Sequence, residues 1–302
     1  MLFRSGRRSA HRSRASGQQD ITAATGASDP RERARWLSWT PGRAVFVTAL
    51  AVVAAIAVTP ASGAADGIAT GFVQAMRHLE SPSRNGKAFS GTPAVGALFS
   101  TSAGRLSQHF CSASVINSPH GDLVITAAHC VSHTSGTVVF VPGYNSGTTP
   151  YGVWTVTKVY LDQAWKSSQN PDDDFAFLRV SQRGSSVPIE DVTGAERLIT
   201  GQPYNHQLVQ VIGYPDSSNQ PITCENWLKE PMKDQLEFDC GAYTDGTSGG
   251  PFLAEVDLTT GQGAVIGVIG GYQQGGNTPQ VSYSSVLGAN AAALYKTAVA
   301  GG

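Results

Sequence analysis

Gly246-Thr247-Ser248-Gly249-Gly250-Pro251 decides how this chain reads. On its own, a serine among glycines is as readily a hairpin turn as a nucleophile. Two stretches upstream change that. Leu123–Cys130 reads LVITAAHC and carries His129, and Asp174–Leu178 reads DFAFL. Together they supply a histidine, an aspartate and a serine in that order. A serine hydroxyl is unreactive at neutral pH and needs an adjacent base. Histidine suits the task because its pKa lies near the working pH. The imidazole in turn needs a buried carboxylate to fix its tautomer. Asp172, Asp173 and Asp174 compete for that role. Asp174 leads directly into the apolar run Phe175–Leu178 and so enters the core, whereas Asp172 and Asp173 are expected as solvated loop charges. Small residues around Ser248 let the backbone turn sharply and leave the N–H groups of Gly246 and Ser248 free to form an oxyanion hole.

Two other chemistries fit less well. The overlapping pattern Gly246-x-Ser248-x-Gly250 is the nucleophile elbow of α/β-hydrolases, which needs the order Ser, Asp, His and a following helix. Here Phe252–Val256 reads as a strand and no histidine follows Ser248. His129 and His133 are four residues apart, but no HExxH motif and no accompanying carboxylate exist. No metal and no cofactor are expected.

The 302 residues carry a net charge of −1 that hides an asymmetry. Residues 1–43 hold nine Arg and three acidic residues, leaving twelve basic and nineteen acidic residues for the rest. The acidic remainder offers no basic surface for nucleic acid. Residues 1–43 read as a disordered basic head. Ala44–Val58 is an uninterrupted apolar run, followed by Pro60 and small residues to Ala65. A positive head, an apolar core and a small-residue site describe a secretory signal peptide, cleaved after Ala64 or Ala65. Residues 44–65 are also just long enough for an uncleaved anchor, which would be the chain's one contact with a membrane. Residues 66–91 read as a pro-segment or linker. From residue 92 short apolar runs alternate with turns, among them Val95–Ser100, Ser112–Asn117, Leu123–Thr126, Thr137–Val141, Phe175–Val180, Gln207–Gly213 and Val265–Gly271. Ala289–Ala300 is a candidate C-terminal helix. Four cysteines without a CxxC favour two disulfides in an exported chain, in any of three pairings.

The frames of His129, Asp174 and Ser248 resemble those of chymotrypsin-like (trypsin-like) serine peptidases over roughly residues 92–295. Gly213-Tyr214-Pro215 and the Cys224…Cys240 loop are similar to the trypsin-like peptidases exported by actinobacteria. The resemblance implies an all-β fold of two six-stranded antiparallel barrels, about 92–190 and 191–288, with a C-terminal helix and the site in the cleft between them. It implies a secreted, monomeric serine endopeptidase acting through an acyl-enzyme on protein or peptide substrates. It also implies the pairings Cys111–Cys130 and Cys224–Cys240, and a specificity pocket at Ala242 and Gly270-Gly271-Tyr272. Two positions depart from the family. Thr247 stands where many members carry an aspartate that pairs with a newly cut N-terminus. Ala242 stands where trypsins carry the aspartate that binds Arg or Lys. The rival reading is a non-catalytic binding protein on the same fold. Such proteins usually lose a residue of the triad, and this chain keeps all three.

Overall fold

Runs such as VGALF, LVIT and AFLRV are apolar at nearly every position, the pattern of strands buried on both faces rather than one. They are so buried in this computed structural model, which describes residues 85–301 apart from 103, 135 and 203–205. The expected basic head, the signal peptide or anchor and the pro-segment up to residue 84 lie outside the described residues.

The first half is a closed barrel. Its strands are β2 (Val95–Ser102), β3 (Arg105–Ile116), β4 (Leu123–Thr126), β5 (Thr137–Pro142), β6 (Trp154–Leu161) and β7 (Ala176–Ser181), joined in the order β2-β3-β4-β7-β6-β5. Side chains alternate between two cores, as the two-residue period of a strand requires. Leu98, Val124, Phe140 and Leu178 fill the barrel with Trp154 and Trp165. Their neighbours Ala97, Ile125, Val141 and Phe177 face outward, against Ile212, Leu253 and Val268 of the second half and Leu294 and Ala298 of the C-terminal helix.

Between β6 and β7 lies the short helix α1 (Gln163–Ser168), started by Asp162, whose side chain accepts from the Ala164 N–H at 2.7 Å, and pinned by buried Trp165. Helix α2 (Ile189–Thr193) leads into the second half. There β1 (Lys87–Ala88), β8 (Arg197–Leu198), β9 (Leu208–Gly213), β10 (Ile222–Trp227), β13 (Pro251–Ala254) and β14 (Ala264–Val268) form a six-stranded sheet, in the order β1-β10-β9-β13-β14-β8. The strands β11 (Lys229–Met232), β12 (Gln235–Asp239) and β15 (Val281–Ser285) form a second, three-stranded sheet. Phe238 of one sheet and Val211 and Phe252 of the other share a single core. Helix α3 (Ala289–Ala300) closes the chain, as expected. Arg179 donates to its Ala298 carbonyl at 2.7 Å and Tyr295 donates to Asn117 O at 2.9 Å, so both ends of the contact bind it to the first barrel.

One boundary moves. β1 pairs with β10 and the Gly86 N–H donates to Gly241 O at 2.8 Å, so residues 85–88 belong to the folded body rather than to a linker.

The seam between the halves holds a buried carboxyl. Glu196 is fully buried, its backbone bonded to Val115 and Asn117 beside β3. One carboxyl oxygen accepts from the Gly263 N–H, and the other has no partner among the described residues. Burial pushes its pKa up to about 7, with the Gly263 N–H pulling the other way. An acid whose pKa is raised by folding costs nothing below its unfolded value and destabilises progressively as pH rises toward its folded value. From pH 4.5 to 7 that loss amounts to about 3 kcal/mol. Glu196→Gln should therefore match the parent near pH 4 and exceed it at pH 8 in denaturant titrations. Equal stabilities of the two proteins at pH 8 would refute this account of the seam.

Candidate active site

Three adjacent aspartates are held by three different structures. Asn170-Pro171-Asp172 starts a 3₁₀ turn, Pro171–Asp173, that ends at Asp174 and feeds β7. Asp172 is exposed and accepts from the Gln235 side chain of β12 at 2.7 Å. Asp173 is not the solvated charge expected from the sequence. It is 2% exposed and receives the amides of Asn170 and of Asn290 in α3, at 2.6 and 2.7 Å. An amide supplied by α3, far along the chain, is what makes its burial tolerable.

Asp174 is fully buried. Its Oδ1 accepts from the His129 backbone N–H at 2.9 Å, and its Oδ2 accepts from His129 Nδ1 at 2.8 Å and from the Gly271 N–H at 2.9 Å. With a carboxylate opposite, Nδ1 is the protonated nitrogen and Nε2 is left as the base. The His129 side chain is 15% exposed. It follows β4 through buried Ala127 and Ala128 and is fixed on its other side by the Cys111–Cys130 disulfide. The two sulfurs lie within 4.8 Å of a His129 nitrogen. Bonded to each other, they are not thiolate ligands for a metal.

Ser248 sits in a loop whose N–H groups divide into two sets. Those of Thr247, Gly249 and Gly250 donate to Thr244, Ile269 and Thr247 at 3.1, 2.7 and 3.0 Å. Those of Gly246 and Ser248 have no protein acceptor among the described residues. Gly246 has φ +90°, and a Cβ there would stand 2.6 Å from Tyr214 O and Asp216 N, so only glycine fits. At Gly249, with φ +79°, a Cβ would run into Ser112 O and Thr126 Oγ1. That close approach seats the loop on the strand ends that present His129.

Ser112, fully buried beside Cys111, escaped the sequence reading. Its N–H donates to Ser248 O at 2.7 Å, its hydroxyl donates to Gly246 O at 3.0 Å, and that hydroxyl accepts from the Tyr214 N–H at 2.8 Å. It ties the first barrel to both ends of the Gly246–Ser248 segment. Gln235 is a second such residue. Besides holding Asp172, its Oε1 accepts from the Tyr272 N–H at 2.9 Å, next to the Gly271 that bonds Asp174. Nothing local in the sequence marks either one.

A cavity of about 390 Å³ opens beside Ser248, walled by Tyr243–Asp245 on one side and Gln274–Pro279 on the other, with Ser282 and Ile269 deeper in. Tyr243 keeps its proton, since burial pushes its pKa up and its hydroxyl donates to Val211 O at 2.7 Å. The four residues expected to form a specificity pocket do not line this cavity. Gly271 is drawn instead to Asp174, and Gly270 packs between Asp174 and Ala127. Ala242 is exposed, and Tyr272 turns its ring edge-on to Tyr283 at 5.2 Å.

A family model described as the trypsin-like peptidase domain matches residues 111–268, just over half of the chain. Among solved structures, the protease Anisep from Arthrobacter nicotinovorans is similar with a TM-score of 0.60 and 23% identity, covering 71% of this chain and 99% of its own. The thermostable serine protease AL20 of an extremophilic microorganism gives 0.59 and 25%, covering 70% and 99%. Human heparin binding protein gives 0.52 and 17%, covering 72% and 95%. No curated protein sequence matches.

Ser112→Ala should strand the Tyr214 N–H and release Gly246 O. A buried donor left unpaired costs roughly 1–3 kcal/mol, so thermal or denaturant unfolding should show a loss of that size. Labelling of Ser248 by a fluorophosphonate should slow about 10-fold in the folded variant. An unchanged labelling rate would show that Ser112 does not position the loop.

Proposed function

Because this chain belongs to the family of trypsin-like peptidase domains, and is a serine-type endopeptidase acting on proteins or peptides, we propose that it is exported and cleaves peptide bonds through His129, Asp174 and Ser248. The observation that carries the reading is the pair of bonds from His129, backbone and ring, to the buried Asp174 carboxylate. Ser248 Oγ attacks the scissile carbonyl while His129 Nε2 takes its proton. Asp174 stays ionised and holds the imidazole in the tautomer that can accept. The unpaired N–H groups of Gly246 and Ser248 stabilise the oxyanion, each worth roughly 3–4 kcal/mol in the transition state. His129 then protonates the leaving amine, and water attacks the acyl-enzyme by the same route in reverse.

The two sheets of the second half share one core and are joined by the Cys224–Cys240 disulfide. We read them as the family's second barrel, monomeric with the first and forming the cleft. Export is supported by the apolar run Ala44–Val58 and by both disulfides, which persist in oxidising compartments. No helix among the described residues is long and apolar enough to cross a membrane. A non-catalytic role on the same fold is disfavoured by the intact His129–Asp174 pair.

Ser248→Ala should fold as the parent does and lose about 10⁶-fold in kcat. Near-normal turnover by the folded variant would remove Ser248 from the mechanism.

A second expectation follows from Thr247. It is 3% exposed, its hydroxyl donates to Thr244 O at 2.7 Å, and its side chain packs on Gly213. No carboxylate precedes Ser248, so the loop is closed by a neutral hydrogen bond with no place for an N-terminal ammonium. Chains beginning anywhere between residues 66 and 84 should share one kcat, whereas removal through Ala88 deletes β1 and should lower stability. A kcat that jumps when the start shifts by one residue would reveal insertion activation.

A further inference from the structure

The cavity beside Ser248 contains several polar groups, and two of the buried ones are already committed. Tyr243 donates to Val211 O and Thr247 donates to Thr244 O, both at 2.7 Å. Ser282 is different. The residue is 1% exposed, it lines the cavity, and its hydroxyl makes no hydrogen bond among the described residues. Its deep neighbour is Ile269, 3% exposed. Among the buried lining residues, Ser282 therefore offers the uncommitted hydroxyl and Ile269 an aliphatic wall. Nearer the mouth stand the amides of Gln274 and Asn277, both exposed, and the carboxylate of Asp245, also exposed. Among the described residues no Lys, Arg or His lines the cavity, and its one carboxylate, Asp245, is exposed.

We propose that this cavity accepts the P1 side chain of the substrate and selects a neutral, hydrogen-bonding one, glutamine first. The proposal rests on Ser248 being the nucleophile, as argued above. Each alternative class meets a specific obstacle. A glutamate would be stripped of water against a single neutral hydroxyl, with Asp245 repelling it at the entrance and no cation to compensate. An arginine or lysine would reach a deep end without an anion, and the attraction of exposed Asp245 is weakened by solvent and salt. A leucine would pack on Ile269 but displace water from the Ser282 hydroxyl without replacing its hydrogen bond, and sites with buried polar groups reject such isosteres strongly. Glutamine lays its two methylenes along Ile269 and offers an amide both to Ser282 and to the amides of the rim.

The test uses four peptides identical except for Gln, Glu, Arg or Leu at P1, cleaved at pH 8 by the parent enzyme. The active-site concentration is fixed by fluorophosphonate titration. The Gln peptide should show kcat/KM at least 10-fold above each of the others. Ser282→Ala should narrow the Gln-to-Leu ratio at least 5-fold. Full labelling with Glu, Arg or Leu preferred would overturn the specificity and leave the serine mechanism standing. A Gln-to-Leu ratio unchanged in folded Ser282→Ala would overturn the role of its hydroxyl. Absent labelling with no peptide cleaved would instead overturn the mechanism, and the specificity with it.

Discussion

A fully buried carboxylate tolerates its charge only while every strong acceptor position is filled. Asp174 meets that demand with three N–H donors drawn from both sides of the molecule. Two come from His129 at the end of β4 in the first barrel, and the third comes from Gly271 just after β14 in the second half. Displacing either half would uncover a charge, so the relative position of His129 and the 269–272 segment is fixed by electrostatics as much as by packing. The neighbouring aspartates extend the same logic. Asp172 reaches through Gln235 to β12, and Asp173 through Asn290 to α3. One run of three aspartates thus anchors His129, a strand of the second half and the C-terminal helix.

The loop of Ser248 is placed from the other direction, by backbone. Gly249 lies so near Thr126 and Ser112 that no side chain fits, and its N–H bonds Ile269 O. Ile269 stands two residues before the Gly271 that holds Asp174. Ser112 closes the arrangement by bonding both Gly246 and Ser248 from β3. In the proposed mechanism this matters because proton transfer and oxyanion stabilisation both demand sub-ångström placement. The Cys111–Cys130 disulfide spans the two chain segments that carry Ser112 and His129, and so couples the base to the support of the nucleophile loop.

What the sequence made legible was whatever has a local cause. The continuous apolar runs of the first barrel are buried on both faces, and their limits were read within a few residues, except that β3 begins at Arg105, seven residues before the expected Ser112. Ser248, the histidine after LVITAA and the aspartate before FAFL each sit in frames that owe their composition to sharp turns or core entry. The strands β10, β11, β12 and β15 were not read. ITCENW, KEPM, QLEFD and VSYSS mix polar and apolar residues, and β11 is exposed throughout. Those strands take their identity from partners distant in sequence. The same holds for Ser112, Gln235 and Asp173, ordinary polar residues whose importance comes from what folding places opposite them. The segment expected at the specificity pocket is engaged elsewhere. Gly271 gives its N–H to Asp174, and residues 274–279 line the cavity beside Ser248.

A common thread is neutrality. Thr247 closes the loop of Ser248 with a hydroxyl that donates to Thr244 O. Ser282 ends the cavity with another hydroxyl. The Asp174 carboxylate faces His129 at 2.8 Å. Neutral hydrogen bonds depend little on salt and do not require a free ammonium made by cutting. A fold arranged this way needs no activating N-terminus to complete its oxyanion hole.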